Sequence, residues 1–223
     1  MIRSGALFVC ATPIGNLDDV THRLLATLKS VDLIAAEDTR VTRKLTARFE
    51  IRTAIISYHA HSSSKKTNEI IDALQSGKSI ALVTDAGTPG ISDPGEPLIQ
   101  AAIATGIKIV PIPGPSAAIT ALSVSGFPTS EFTFIGFLPR KAGKKRKLLE
   151  KLKAEGRTMV FYESPHRILK TLDEILATLG EVEVCVCREL TKKFEEIYRG
   201  KISQVKNKIR PQGEFTVVIS AEG

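Results

Sequence analysis

A glycine- and proline-rich stretch, Leu82–Gly95 (LVTDAGTPGISDPG), has the residues of a ligand-binding loop. It follows Ser79–Val83, an apolar run typical of a buried parallel strand, and ligands bind in the loops at the carboxyl ends of such strands. Its glycines let backbone groups approach a ligand, and its prolines stiffen the loop. The side chains available for polar contacts are Asp85, Thr88, Ser92 and Asp93. Because a simple turn needs far fewer residues, we interpret the stretch as functional.

Two more polar segments follow predicted strands in the same half of the chain. The first strand leads into Thr12–Asp19, which has neither the G-x-G-x-x-G pattern of dinucleotide-binding loops nor the G-K-[ST] of a P-loop. The second strand ends in Glu37–Arg40, where two acids and an arginine come together. Helix capping by Asp38 and Thr39 explains part of that group but not all of it. Both segments are therefore predicted to face one ligand site.

The histidine and cysteine residues do not form a metal-binding pattern. His59 and His61 follow the third strand, but no further ligands at suitable spacing accompany them, so contact with substrate or solvent is favoured. Cys185 and Cys187 lie two apart in an alternating segment, which places both on one face of a strand. Without a second pair of ligands, these cysteines are interpreted as core residues, and no metal is expected.

Two charged segments of the second half have more than one interpretation. In FYESPHR, Glu163, His166 and Arg167 are polar groups at the end of a strand, which suits a functional site. Ser164-Pro165 also has the pattern of a helix N-cap with proline at the first position, and the two interpretations are compatible. The segment Cys187–Glu196 fits a site loop or a surface turn equally well.

The basic character of the chain favours a polyanionic partner. Its 223 residues carry a formal net charge of +7, and the sequence pI is near 9.4. Much of the excess lies between Arg140 and Lys147, where six of eight residues are basic, and Lys151 and Lys153 follow. Contact with RNA phosphates and a solvated helix face account for this run equally well.

Cysteine usage and hydropathy predict where the protein works. An odd number of cysteines, three, without a secretory signal argues for a reducing compartment. The early apolar run Ala6–Ala11 is too short for a signal peptide, and no stretch approaches the length of a membrane-spanning helix. We therefore expect a cytoplasmic protein.

The elements that must position these residues alternate along the chain. In the first half, strands and helices alternate from Ala6 onward, which predicts a parallel sheet with helices on both faces. The stiff segment Pro111–Pro115 is the best domain boundary, so we predict domains at 1–113 and 114–223. The second half is also α/β, and it is predicted to form a mixed sheet that includes a short strand at Phe194–Tyr198.

Nine short segments, in order along the chain, carry a resemblance to a known family: TPIGNLDD, AAEDTR, SYHAH, LVTDAGTPGISDPG, PIPGPSA, FIGFLPRK, FYESPHR, CRELTKKFEE and GEFTVVI. In them the chain resembles the ribosomal RNA small subunit methyltransferase I family of the tetrapyrrole methylase superfamily. The resemblance implies two α/β domains with a ligand cleft between them, and a homodimer. It also implies S-adenosylmethionine-dependent methylation of the ribose 2′-oxygen of a cytidine in the decoding region of 16S ribosomal RNA.

The resemblance also implies which residues hold the methyl donor. They are Pro13, Ile14, Asp85, Gly87, Thr88, Ser116, Ala117, Phe161, Tyr162, Phe215 and Thr216. The sulfonium already activates the methyl group, so the enzyme chiefly has to align the acceptor oxygen, the methyl carbon and the sulfur.

The acceptor side of the reaction needs a group that takes the proton of the ribose hydroxyl. The candidates are Glu37, Asp38, His59 and Glu163, with Asp38 as first choice. Arg40 and Arg167 are expected to hold flanking phosphates, because a planar guanidinium suits them. The further RNA contacts are Arg140, Lys141, Lys144, Lys145 and Lys147, and the expected partner is small-subunit ribosomal RNA within the assembled 30S subunit.

Two other functions are weighed against RNA methylation. A small-molecule methylase that acts on a tetrapyrrole shares the implied fold and donor, and tetrapyrroles are also polyanions. The segments AAEDTR and FYESPHR favour the RNA methyltransferase. An RNA-binding ribosome-assembly factor without enzymatic activity is disfavoured by the intact glycine-rich loop.

Overall fold

The computed structural model describes residues 5–221 of the chain. The chain divides into two compact units, one that ends at Ser116 and one that begins at Ala117. Each unit has its own five-stranded sheet and its own apolar core. Within the described residues, no helix is long and apolar enough to cross a membrane.

The first unit is built on a parallel sheet. Its elements are β1 (Ala6–Cys10), a 3-10 turn (Leu17–Asp19), α1 (His22–Ser30), β2 (Leu33–Ala36), α2 (Thr39–Arg48), β3 (Ile55–Ser57), α3 (Ser64–Gln75), β4 (Ile80–Val83), α4 (Glu96–Ala104) and β5 (Lys108–Ile112). The strand order is β3-β2-β4-β1-β5, and every pairing is parallel. The predicted parallel sheet is confirmed.

Burial on both faces explains why the central strand β4 is apolar throughout. Alternate side chains of a strand point to opposite faces, and the four residues of β4 are all buried. Ile80 and Leu82 join a cluster with residues of α3 and α4, whereas Ala81 and Val83 join a cluster with residues of α1 and α2. The helices therefore cover both faces of the sheet, as the sequence predicted.

The second unit is built on a mixed sheet, which confirms the sequence prediction. Its elements are α5 (Ala117–Ser125), β6 (Phe132–Phe137), α6 (Ala142–Ala154), β7 (Thr158–Glu163), α7 (Ile168–Leu179), β8 (Glu183–Arg188), β9 (Glu196–Lys201), α8 (Ile202–Lys206) and β10 (Phe215–Ile219). The order is β6-β7-β10-β8-β9. The pair β6–β7 is parallel, and the other three pairs are antiparallel.

The two faces of the second sheet are covered differently. One face forms a large apolar core with α6, α7 and α8. Helix α5 contacts β7, β8 and β10 without contributing to that core cluster, so it lies on the other face. Cys185 and Cys187 are buried on β8, which confirms their interpretation as core residues.

Two local features of the second unit differ from the sequence predictions. Helix α7 begins at Ile168 with Arg167, and not Ser164, as its N-cap; the carbonyl of Ser164 accepts hydrogen bonds from the backbone nitrogens of Arg167 and Ile168 in the turn before the helix. Ser164-Pro165 is therefore a turn and not the helix start. Strand β9 begins at Glu196, because its pairing with β8 starts there and the residues before it form the connecting loop.

Candidate active site

Three loops of the first unit meet at the carboxyl edge of its sheet. They follow β2, β4 and β1, which are neighbours in the sheet, and parallel strands end at the same edge. Glu37 and Asp38 follow β2, Thr84 and Asp85 follow β4, and Thr12 follows β1. The structure thus brings together the strand-end groups that the sequence analysis singled out in the first half.

Reciprocal hydrogen bonds join the loops after β2 and β4. The backbone nitrogen of Asp38 donates to Oδ1 of Asp85 at 3.0 Å, and the backbone nitrogen of Asp85 donates to Oε2 of Glu37 at 3.3 Å. Among the ion pairs formed within residues 5–221, none includes Glu37 or Asp85. Backbone amides, and not a cationic side chain, therefore fix these two carboxylates.

The pKa values of the three acids differ because their surroundings differ. Desolvation by burial raises the pKa of Glu37 and of Asp85, and neighbouring carboxylates raise both further. Asp38 has the opposite shift, because the Arg40 side chain donates to its carboxylate at 2.6 Å and holds its pKa at about 2. Asp38 is also the N-cap of α2, where its Oδ1 accepts from the Arg40 backbone nitrogen at 2.8 Å. Of the three, Asp38 is the weakest base near neutral pH.

Two glycines shape the backbone around these acids. The backbones of Thr12 and Gly87 pair in both directions, with N–O distances of 2.9 and 3.1 Å. Gly87 has a φ of +79°, in the left-handed region that favours glycine. Gly114 packs so closely on Ala11 that a Cβ atom would lie 3.1 Å from the Ala11 Cβ. Peptide groups are therefore drawn together beside Asp85 without intervening side chains.

Thr84 is a candidate functional residue that the sequence analysis missed. Its side chain is buried, and its hydroxyl has no hydrogen-bond partner within the described part of the chain. An unsatisfied buried hydroxyl costs about 1–3 kcal/mol, so such an atom at a strand end marks a place for a ligand or a water. A threonine that closes an apolar run looks like an ordinary strand residue, and its position directly before Asp85 was the available signal.

The predicted donor-binding residues of the first unit surround this edge of the sheet. Pro13 and Ile14 are buried, and the Ile14 side chain packs on Gly87. Thr88 and Ser116 are half-buried. Apolar side chains and the Asp85 carboxylate together suit a ligand that has both apolar and charged parts.

The predicted histidine pair lies on the loop after β3. His59 and His61 are exposed, and Nδ1 of His59 accepts a hydrogen bond from the backbone nitrogen of His61 at 3.2 Å. The charge of His59 slightly opposes the upward shift of the Glu37 pKa. No group of three or more metal-ligating side chains occurs among residues 5–221.

The predicted donor-binding residues of the second unit lie in β7 and β10. Phe161 and Phe215 point into the apolar core, so their rings are not available to a ligand. Tyr162 points to the opposite face, and Thr216 lies across from it in the antiparallel ladder. Ala117 is the first residue of α5.

Glu163 is held in a buried polar network at the end of β7. Only 2% of its surface is exposed, and its carboxylate accepts from the Ser164 backbone nitrogen at 2.8 Å and the Thr171 hydroxyl at 2.7 Å. Arg167 lies 3.2 Å from the same carboxylate and also donates to the carbonyl of Leu138 at 2.8 Å. With these partners, Glu163 and Arg167 hold the fold together locally, which argues against their predicted roles as proton acceptor and phosphate clamp.

The burial of Lys145 contradicts the prediction that the whole basic run contacts RNA. Lys145 is only 3% exposed, and its ammonium donates to the Thr171 hydroxyl at 3.0 Å and to Glu174 at 2.6 Å. A lysine buried in this pair is not available to a phosphate. The other predicted contacts of the run are exposed at the start of α6: Arg140, Lys141, Lys144 and Lys147.

The charged segment between β8 and β9 is tied into a compact surface loop. Arg188 donates to Glu196 at 2.9 Å and to the Gln212 carbonyl at 2.6 Å. Lys192 bridges Glu189 at 3.0 Å and Glu214 at 2.8 Å. Because these charges neutralise one another, the structure favours the surface turn that the sequence left open.

Comparison with known proteins gives concordant results. Residues 6–206 match the family model described as Tetrapyrrole (Corrin/Porphyrin) Methylases. Proteins named "Ribosomal RNA small subunit methyltransferase I" are similar to the chain over nearly all of its length. The one from Halalkalibacterium halodurans is 50% identical over 98% of this chain and 77% of its own, and the one from Thermotoga maritima is 48% identical over 98% of this chain and 99% of its own.

Solved structures share the fold at low sequence identity. The methyltransferase CobJ is 19% identical with a TM-score of 0.72, and the match covers 97% of this chain and 94% of that one. A diphthine synthase is 14% identical with a TM-score of 0.76, and covers 97% of this chain and 90% of that one. At these identities the likeness concerns the fold alone.

Proposed function

Because this chain belongs to the tetrapyrrole (corrin/porphyrin) methylases and, among them, to the ribosomal RNA small subunit methyltransferase I family, we propose that it transfers a methyl group from S-adenosylmethionine to small-subunit ribosomal RNA. The observation that carries the proposal is the strand-end site of the first unit. There, two carboxylates with raised pKa values border a backbone shaped by glycines. Such a site can hold a cationic ligand and also accept a proton.

The finer proposal names the atom that is methylated. It is the ribose 2′-oxygen of a cytidine in the decoding region of 16S ribosomal RNA, within the assembled 30S subunit. The nine segments that resemble the family support this choice, as does the basic character of the chain. The same resemblance supports a homodimer that works in the cytoplasm. A single-stranded nucleotide can be splayed out so that its ribose reaches a protein site.

The groups of the first unit fit the methyl donor. S-adenosylmethionine supplies an electrophilic methyl group on a positively charged sulfur. The Asp85 carboxylate is suited to a cationic or hydroxyl group of such a ligand, and the unpaired Thr84 hydroxyl offers a second polar contact. Peptide groups near Gly87 and Thr88 suit its polar edges, and Ile14 offers apolar contact. Pro13 and Ser116 complete the proposed set in this unit.

Residues of the second unit are proposed to contact the donor in two ways. Tyr162 and Thr216 can offer their side chains. Phe161 and Phe215 can offer only peptide groups, because their rings are in the core. Ala117, at the start of α5, can offer its backbone nitrogen.

Proton transfer is the step in which the chain's own acids differ most. The bond from the ribose oxygen to the methyl carbon forms as the carbon–sulfur bond breaks, and the hydroxyl proton passes to a carboxylate. We assign this role to Glu37, whose pKa is raised, and not to Asp38, whose pKa of about 2 makes it a poor acceptor. His59, which is exposed on the loop after β3, is the second candidate. Arg40 is then the partner that holds Asp38 in place.

The start of α6 is proposed to contact RNA phosphates. Arg140, Lys141, Lys144 and Lys147 are exposed there. Each phosphate contact by such a cation releases counterions from the RNA and makes binding depend on salt. Lys145 is excluded from this set because of its buried ion pair.

A methylation assay with labelled donor tests the proposed function. Naked 16S ribosomal RNA, 30S subunits that lack the modification, and a tetrapyrrole are offered side by side. We expect label in the RNA of the subunits, on a ribose that then resists alkaline cleavage because its 2′-oxygen is blocked. Label in the tetrapyrrole alone would assign the chain to small-molecule methylation. Donor binding without transfer to any acceptor would contradict the proposal.

Replacing Asp85 tests the donor site directly. Asp85→Ala removes one charge-assisted contact, and we expect donor affinity measured by calorimetry to fall about 10- to 150-fold. Asp72→Ala is the matched control, because Asp72 is exposed on α3. Equal donor affinities in the two variants would remove Asp85 from the donor site.

A further inference from the structure

One edge of the second sheet carries an aromatic surface whose three phenylalanines the proposed function does not use. It consists of Phe132, Phe134 and Phe137 on the edge strand β6, with Tyr162 on β7. Phe161 points into the core with α6, α7 and α8, so its neighbour Tyr162 points to the opposite face. The rings of Phe134 and Phe137 pack edge-on against Tyr162, with centroids 5.1 and 5.8 Å apart. These aromatic rings therefore share the face on which α5 lies.

A bulge in β6 places Phe137 on this face. Residues three apart in a regular strand point to opposite faces. Here Phe134 pairs with Val160 and Phe137 with Tyr162, so β6 has one residue more than β7 between the two pairs. Gly136, with a φ of +70°, supplies the left-handed conformation of such a bulge. The extra residue returns Phe137 to the side of Phe134 and Tyr162.

The ring of Phe137 is largely open to solvent. The residue is 55% exposed, and Phe132 at the other end of β6 is 38% exposed. Leu138, the next residue, is buried, and the Arg167 guanidinium binds its carbonyl at 2.8 Å. An exposed aromatic residue is thus presented on a strand end that is firmly anchored on its inner side.

Several basic side chains follow this surface directly in the sequence. Arg140, Lys141 and Lys144 are exposed, and none of the ion pairs within residues 5–221 includes them. They lie at the N-terminal end of α6, where the helix dipole disfavours positive charge, and Lys141 caps the helix without a side-chain hydrogen bond. These cations therefore contribute little to the stability of the fold, but they can contribute strongly to the binding of a polyanion.

We propose that this aromatic surface binds single-stranded RNA, with a base stacked on Phe137 and the flanking phosphates held by Arg140, Lys141 and Lys144. The proposal rests on the proposed function, since it takes ribosomal RNA as the substrate. Sheets that carry exposed aromatic side chains bind single-stranded nucleic acid by stacking, and a neighbouring basic surface follows the phosphates. Aromatic residues are enriched in protein–protein interfaces, so a second copy of this chain is the alternative occupant, but lysine is depleted there, and the neighbouring Lys141 and Lys144 favour RNA.

Phe137→Ala is the first test, read by fluorescence anisotropy with a labelled oligocytidylate. Loss of one stacked base is expected to weaken binding about 5- to 150-fold, whereas Phe137→Tyr keeps the stacking and the affinity. The dependence of binding on salt should stay the same in Phe137→Ala, since no phosphate contact is lost. It should flatten in Lys144→Gln, by about 0.7 in the log–log slope.

Phe194→Ala is the matched control. Phe194 is 63% exposed on the loop before β9 and lies beside Lys193, so it is an equally open aromatic residue next to a cation. We expect its loss to leave oligocytidylate binding unchanged. Equal weakening in both variants would contradict a specific role for Phe137.

A tryptophan reporter gives a direct readout, because the chain contains no tryptophan. Stacking of a base should quench the fluorescence of Phe137→Trp when oligocytidylate is added, and should leave Phe194→Trp unaffected. Absence of quenching at saturation, or unchanged affinity in Phe137→Ala with a shift from dimer to monomer in sedimentation, would overturn the inference. The latter result would identify a self-association surface.

The two proposals fail separately. If the unmodified chain methylates 30S subunits but binds oligocytidylate no better than Phe137→Ala does, only the stacking surface is wrong. If the unmodified chain transfers no methyl group to any RNA, the proposed function is wrong, and the anisotropy result still decides whether Phe137 binds RNA.

Discussion

Both units place carboxylates at strand ends, but they treat these carboxylates in opposite ways. In the first unit, Glu37 and Asp85 are held by backbone amides, and their pKa values are raised. In the second unit, Glu163 is enclosed by Arg167 and by the hydroxyl that also binds a buried ammonium. Acids without a cationic partner are poised to act on a ligand, whereas enclosed acids hold their own unit together.

This difference separates candidates that looked alike in the sequence. Glu37 and Glu163 both follow strands and both precede helices, so both qualified as proton acceptors. The enclosed carboxylate of Glu163 has its hydrogen-bonding capacity occupied by the fold. The carboxylate of Glu37 has one backbone donor at the long distance of 3.3 Å. Chemistry is therefore expected in the first unit and stability in the second, and variants can test each half of that statement.

The largest expected effect concerns methyl transfer. Glu37→Gln keeps the shape of the side chain but removes its ability to take a proton, so we expect the transfer rate to fall about 10²- to 10⁴-fold. Donor affinity should change little, because Asp85 remains. Single-turnover transfer to 30S subunits, with calorimetry for the donor, measures both quantities.

Asp38→Asn is the matched control for that experiment. Asparagine keeps the cap of α2, and the carboxylate it replaces has a pKa of about 2. We expect at most a modest loss of rate. A large loss in Asp38→Asn together with a normal rate in Glu37→Gln would reverse the assignment and restore Asp38 as the proton acceptor.

The second expected effect concerns stability in the second unit. Lys145→Met fills the space of the lysine but leaves Glu174 without its ammonium, and it removes the donor to Thr171. Removing one partner of a buried pair destabilises a protein by about 3–5 kcal/mol, and we expect the lower end because Glu174 keeps some contact with water. Urea unfolding measures the loss.

Lys144→Met controls for the change of charge and size. Lys144 is the sequence neighbour of Lys145 but is exposed, so its replacement should change the free energy of unfolding by less than about 0.5 kcal/mol. If both variants unfold at the same urea concentration as the unmodified chain, the network of the second unit contributes nothing to stability and the comparison between the units fails.

The sequence predicted the positions of the site in the first unit because strand ends can be read from local patterns. Apolar runs mark the strands, and polar residues after them must lie at one edge of a parallel sheet. Local patterns do not predict whether each carboxylate is exposed or enclosed by partner side chains. Whether a carboxylate is enclosed depends on residues far along the chain, as when Thr171 and Lys145 meet across 26 positions.

Lys145 shows where a closer use of periodicity would have helped. In α6 the buried residues are Lys145, Leu149 and Leu152, which repeat at helical spacing. The apolar face of α6 thus includes Lys145, while the neighbouring cations point away. The bulge in β6 had a similar signal in Gly136, but the pairing that makes it a bulge depends on β7 and is not visible in local sequence.

The smallest expected effect is the pH dependence of stability, and its sign separates neighbouring acids. Asp38 has a folded-state pKa of about 2, below its ordinary value of 3.8, so its ionised form stabilises the fold above that value and the stabilisation is lost as pH falls toward 2. Glu37 has a raised pKa, so its ionised form destabilises the fold, and the penalty disappears as pH falls into the acid range where Glu37 is protonated.

Asp38→Asn should therefore lower the melting temperature at pH 7, and Glu37→Gln should raise it, each by a few degrees at most. The Glu37 difference should disappear in the acid range where Glu37 is protonated, and the Asp38 difference should shrink as pH falls from 3.8 toward 2. Thermal unfolding of the two variants across this range checks the signs. A decrease in both variants at pH 7 would mean that Glu37 stabilises the first unit as Glu163 does the second, and the contrast between the units would no longer hold.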